Sequence, residues 1–257
     1  MQVFTKSEYA FYSIRDDILS GQLPGGTKLV VNDLAKKYNI SAMPIRTALI
    51  KLEELGYVRS VQHTGVWVCE FDFDSYFTYM LLRVGAESIA VRFFALKRTA
   101  EDILQLTGII RQMETALQSS DTQTYGKLNT VFHNYFVTNC SNQPLQEYIE
   151  SLMSKTHISI NFFNWIPSAS AQSFHEHQLM LDAVKKQDLE KLSSILIFQR
   201  CRSNIDLLSY LKSVPINEIP IDMLRKALSD HGVYEKIDGY IKLFESLRHG
   251  LDFSINN

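Results

Sequence analysis

Between Tyr76 and Ser213 the chain repeats apolar residues at steps of three and four, with few glycines or prolines to interrupt it. That period places one apolar stripe along a helix, so the segment must fold as helices packed stripe to stripe. Six segments carry it, from YFTYMLLRVGAESIAVRFFALK to DLEKLSSILIFQRCRSNIDLLSYLK. They predict an all-α bundle of six or more elements. Glycine and proline are scarce throughout, at 11 and 6 in 257 residues, which agrees with a mainly α chain.

The first seventy residues differ. KSEYAFYSIRDDILS reads as a helix ended by GQLPGG. A short second helix follows in NDLAKKY, with Asn32 expected to cap it. NIS makes a tight turn, and Ser41 is placed to cap a third helix whose first turn tolerates Pro44. That helix is expected to stop at Gly56. YVRSV and VWVCE, separated by QHTG, alternate like a small hairpin. The order is that of a winged helix-turn-helix. The expected fold is therefore mainly α: an N-terminal winged helix-turn-helix with a small β-hairpin, then a C-terminal helical bundle. The expected boundaries are 1–70 for the head, 71–75 for a linker in the acidic EFDFDS stretch, 76–213 for the bundle, and 214–257 for a helical extension.

Composition narrows the functional classes. A net charge of −2 gives no global attraction to nucleic acid or membrane, so DNA binding must come from a local surface. No signal peptide or membrane-spanning apolar run is evident, and Cys69, Cys140 and Cys201 form no paired motif. A cytoplasmic protein with reduced thiols is expected.

Residues 9–70 resemble the DNA-binding domain of the GntR regulators. The carriers are ILSGQLPGGTKL, LAKKYNISAMPIRTALIKLEELGYV and QHTGVWV. The resemblance implies that the third helix enters the major groove with Ser41, Ala42, Met43 and Arg46 near the DNA. It also implies that His63, Thr64 and Gly65 form a wing against the minor groove. Arg46 matches a recognition arginine able to contact guanine O6 and N7, or a phosphate; the alternative is a solvated helix residue. Ala42 and Met43 stand where the family usually has arginine and threonine. Apolar contact with a thymine methyl would replace one polar reading there, so a non-standard operator is expected.

The later segments resemble the all-helical FCD-type effector domain of the FadR branch of that family, through LRVGAESIAVRFFA, FHNYFVTNCSNQPLQEYIESL and HEHQLMLDAVKKQDLEKL. Many members hold a divalent metal there through one aspartate and three histidines. His133 and His177 match two of those histidines, but the other two positions hold Asn129 and Gln199. Neutral amides are poor ligands for zinc, nickel or manganese. The expectation is no metal cofactor and a polar pocket for a small anionic effector, formed by Arg83, Asn129, His133, His177 and Gln199. Weak metal binding through His133 and His177, or plain core packing, are the alternatives. Arg83 either grips the anion or pairs with Glu87 one turn on. His157 and His175 are read as surface or core residues, and Phe132, Phe162, Phe163 and Trp165 as core.

The resemblance implies a homodimeric transcription regulator that binds a palindromic double-stranded DNA operator and a small anionic metabolite, with no membrane partner. Two other readings stay open: an effector-independent regulator with a vestigial pocket, and a helical metal-dependent enzyme fused to a DNA-binding module. Against the enzyme, the pocket has no nucleophile–base pair, no paired carboxylates and no phosphate loop. In the tail after Ser213, Met223, Leu224, Leu228, Ile237, Tyr240, Ile241, Phe244 and Leu247 are expected to pack, with a break near Gly232.

Overall fold

The computed structural model describes residues 5–156, 162–219, 221–229 and 232–249. The chain falls into two units. One comprises residues 1–76 with 214–234, the other 77–213 with 235–257.

In the first unit, helix α1 (Lys6–Leu19) starts on a capping box in which Thr5 and Glu8 satisfy each other's backbone N–H groups. Helices α2 (Val31–Tyr38) and α3 (Ala42–Glu54) follow, joined by a turn in which Asn39 adopts the left-handed conformation. Asn32 does not cap α2. The cap position is Val30, and Asn32 lies inside the first turn, because strand β1 (Lys28–Leu29) leads straight into the helix. β1 is an addition to the expected hairpin. It pairs antiparallel with β3 (Gly65–Val68), which also pairs with β2 (Val58–Val61), giving the order β1-β3-β2. Phe11, Ile14, Ile18, Leu29, Leu34, Ile45, Leu49, Leu52, Tyr57 and Val68 form one core under these elements.

A segment from the far end of the sequence joins this unit. A 3-10 turn (Ile216–Glu218) and helix α11 (Asp222–Leu228) bury Ile219, Ile221, Leu224 and Leu228, and α11 packs on α1. The approach is close at Gly21, which has φ +82°: a Cβ there would lie 2.6 Å from the Asp222 carboxyl carbon. Lys226 reaches Glu70 at 3.3 Å.

Helix α4 (Phe73–Lys97) begins inside the acidic stretch read as a linker. The reason is local: the Asp72 carboxylate accepts from the Ser75 N–H and hydroxyl, starting the helix there. The second unit continues with α5 (Ala100–Gln118), α6 (Thr122–Thr138), α7 (Gln143–Lys155), α8 (Phe162–Trp165), α9 (Ala169–Lys186) and α10 (Leu189–Ser213). Thr99, Asp121 and Asn142 cap α5, α6 and α7 by accepting from backbone N–H groups one turn on. Helix α5 packs on α6 and α9, and α9 packs on α10. Most of helix α12 (Val233–Arg248) belongs to this unit; it buries Ile237 and Phe244 and sets Tyr240 against Phe77. Leu247, expected to pack, is 46% exposed. The side chain of Met223 lies outside the described residues. No helix among the described residues is long and apolar enough to cross a membrane.

Candidate DNA-reading surface and polar cluster

The core side of α3 is Ile45, Ala48, Leu49 and Leu52, all buried. Its period therefore turns Met43, Arg46, Thr47 and Ile50 outward, and all four are exposed. Among the described residues no hydrogen bond or ion pair engages the Arg46 guanidinium. Ala42 is half-buried, and Ser41 is exposed. Ser41 occupies the cap position of α3, but its hydroxyl makes no capping hydrogen bond, so the expected capping role is not taken up.

The wing turn places His63 at φ 62° and Gly65 at φ 110°, with Val61 paired to Gly65 across it. Histidine is among the residues that tolerate this left-handed region. Thr64 is committed inside the turn: its hydroxyl donates to the Val61 carbonyl at 3.2 Å and accepts from the Trp67 indole at 3.2 Å. Thr64 thus braces the wing. The base of the wing is tied to α3, because Glu53 accepts from the Ser60 N–H and hydroxyl. Of the nearby cations, Lys37 is paired with Asp17 at 2.6 Å, while Lys28 and Lys51 lie over the rings of Trp67 and Phe11.

In the helical unit, His133 on α6, His177 on α9 and Gln199 on α10 meet. The two histidine Nε2 atoms are 3.1 Å apart, and the Gln199 amide nitrogen is 3.3 Å from His177 Nε2. The amide also donates to the Ser173 carbonyl, which assigns its orientation. His177 Nε2 is then the acceptor, and His133 carries the Nε2 proton. All three side chains are buried, and His133 Nδ1, His177 Nδ1 and Gln199 Oε1 have no hydrogen-bond partner among the described residues. Burial, followed by the positive field of Arg200, holds both imidazoles neutral, with His177 pushed down to about 3 and His133 well below the ordinary range. Asn129, one turn before His133 on α6, is half-buried.

Arg83 is in the ion pair with Glu87, bonding one carboxylate oxygen through two nitrogens at 3.0 and 2.8 Å and the Thr156 hydroxyl at 2.7 Å. The other Glu87 oxygen accepts from Arg200 at 2.7 Å. Burial alone would raise the Glu87 carboxyl; Arg200 and Arg83 outweigh it and hold it below the usual range. Arg200 was not singled out by sequence reasoning. Only its place one residue after Gln199 hinted at it. Nor was the neighbouring buried pair in which Glu176, fully buried, takes two bonds from Arg202 at 2.6 and 2.8 Å. The first group holds two guanidiniums and one carboxylate, a net charge of one positive beside the neutral histidines.

Of the remaining candidates, His175 is exposed and His157 lies outside the described residues. Phe132 and Phe163 are buried, and Trp165 stacks with Tyr210 at 6.3 Å. The Phe162 side chain lies outside the described residues.

The donor set does not fit a transition metal. Among the described residues no three His, Cys, Asp or Glu side chains are grouped to hold one. Two imidazoles are present, but Glu87 is held by two arginines and Glu176 by a third. An amide completes the cluster where a charged or imidazole ligand is needed.

Comparison with known proteins places both units. Residues 6–68 match the model for bacterial regulatory proteins of the gntR family, and residues 80–197 match the FCD domain. The HTH-type transcriptional regulator YdhC of Bacillus subtilis is 24% identical over 184 residues, covering 70% of this chain and 81% of that protein. The Nta operon transcriptional regulator of Aminobacter aminovorans is 22% identical, covering 76% and 90%. The HTH-type transcriptional repressor RspR of Escherichia coli is 23% identical, covering 68% and 77%. Among solved structures, Escherichia coli McbR/YncC aligns with a TM-score of 0.63 at 19% identity, over 82% of this chain and all of that one.

Proposed function

Because the chain belongs to the GntR family of bacterial regulatory proteins, with an FCD domain after its DNA-binding head, we propose that it is a cytoplasmic, homodimeric, metabolite-responsive repressor of a palindromic operator. The observation that carries the DNA-reading half is Arg46: exposed on the outer face of α3, and unengaged among the described residues. Arg46→Ala is expected to weaken specific binding by about 1–3 kcal/mol while sparing most phosphate-driven affinity. Gel shifts on specific and scrambled duplexes measure both. An unchanged specific constant would remove Arg46 from base reading.

Dimerisation is supported by α4. Leu82, Ile89, Phe93 and Leu96 recur along it at seven, four and three residues, and all are between 37% and 59% exposed. Apolar residues so aligned suit a two-fold helix contact, and a palindromic operator requires a two-fold protein. Ile89→Glu with Phe93→Glu is expected to yield a monomer in sedimentation velocity, with operator affinity falling steeply. A dimer that survives this double change places the interface elsewhere.

The effector is a small anion held without metal. Arg83 and Arg200 supply the charge, His177 Nδ1–H donates, and Gln199 and Asn129 contribute adaptable amide contacts. The uncompensated positive charge beside buried, partnerless nitrogens supports this reading over a vestigial cluster. The enzyme reading has no such support: among the described residues no nucleophile with an adjacent base lies in the cluster.

A further inference from the structure

The outward face of α3 carries two strongly exposed apolar side chains. Met43 is 71% exposed and Ile50 60% exposed. Isolated exposed apolar residues need no explanation, but these share one face at a spacing of seven with Arg46 and Thr47 between them. The Thr47 hydroxyl donates to the Met43 carbonyl at 3.3 Å. Its hydrogen is therefore tied up inside the helix, and Thr47 offers a partner its methyl and an acceptor oxygen but no donor. One cation thus stands between two exposed apolar side chains.

We propose that Met43 and Ile50 are specificity-determining residues that read thymine 5-methyl groups on either side of a guanine contacted by Arg46. The inference rests on α3 being the major-groove helix. In that groove the thymine methyl is the apolar feature a base pair offers, and cytosine and the purines lack it. Isoleucine offers no hydrogen bond at these positions, and methionine only a weak acceptor sulfur. Seven residues advance about 10 Å along a helix, and base pairs on one strand are spaced by about 3.4 Å. The two thymine-reading positions therefore lie about three base pairs apart in each half-site, with the Arg46-contacted pair between them. Ala42, half-buried, is not one of the anchors.

The test uses the whole 257-residue chain and needs no knowledge of the natural operator. Sites are first selected from a random duplex library. Each thymine in the selected site is then replaced by deoxyuridine, which removes the methyl and leaves pairing and the O4 acceptor intact. Two thymines per half-site are expected to be sensitive, each costing about fourfold in affinity when its methyl is lost. In Met43→Ala and Ile50→Ala the sensitivity is expected to vanish, each at its own position only; both residues are exposed, so the fold should tolerate the changes. A selected site indifferent to deoxyuridine everywhere overturns the inference while leaving DNA reading by α3 intact. So does sensitivity that persists in both variants. If the variants bind DNA as the parent does but change its oligomeric state, the face is a protein contact and the inference falls. A library from which no sequence is enriched overturns the premise of base reading itself, and the inference with it.

Discussion

Glu87→Ala is expected to destabilise the helical unit by about 3–5 kcal/mol, because it strands two arginine charges around one lost carboxylate. Arg83 is 9% exposed and gives Glu87 two bonds, and Arg200 gives the other oxygen one more. With the side chain of Arg200 still 19% exposed, water recovers part of its solvation, so the loss should fall toward the lower end. Urea denaturation of parent and variant measures it. The same variant tests the anion site. Inorganic phosphate or acetate should restore thermal stability to Glu87→Ala by several degrees more than it raises the parent's, since an anion can occupy the space between the guanidiniums. A variant as stable as the parent would mean that the two arginines are satisfied elsewhere. A variant destabilised but indifferent to anions would leave the ion pair structural and remove the charge from the effector site.

Stability should also fall as pH drops from about 6.5 toward 4, and the buried imidazole pair should be responsible. His177 is pushed down to about 3 and His133 in the same direction. Below pH 6.5 the unfolded chain takes up protons that the native state refuses, so acid favours unfolding. His177 then contributes a slope approaching about 1.4 kcal/mol per pH unit, and His133 adds to it in the same direction. The stabilisation is fully present above pH 6.5 and is lost as pH falls toward the folded values. Replacing His177 with glutamine should lower the slope in unfolding free energy between pH 6.5 and 5 by about 1 kcal/mol per pH unit. A slope that does not change with the substitution would mean the pair is not held neutral. Anionic ligands should flatten the slope in the parent, because a negative charge near the pair offsets the field of Arg200 and favours the protonated form. Proton uptake on ligand binding, measured in buffers of different ionisation enthalpy, would report this directly.

What the residues alone determined is what depends on neighbours in the chain. The apolar period set the helices of both units, the NIS turn set the step between α2 and α3, and QHTG set the wing, all interactions spanning a few residues. The reading of Arg46 as a DNA-facing residue came from resemblance to a family. Convergence of His133, His177 and Gln199 was legible only through resemblance to a family, since no local rule brings three helices together. The tertiary structure alone decided the rest. Strand β1 is two residues long and has no strand signal; it exists because β3 offers it an edge. Arg83 was open between two partners until packing put Arg200, 113 residues along from Glu87, against the same carboxylate. Thr64 matched a DNA-contacting position, but the wing folds its hydroxyl onto Trp67. The tail after Ser213 is divided between two units because Ile219, Ile221, Leu224 and Leu228 are buried in one and Ile237 and Phe244 in the other. Period says that a side chain seeks cover. Which surface covers it, and which charge a buried arginine meets, depends on contacts between residues far apart in sequence, which only the folded chain brings together.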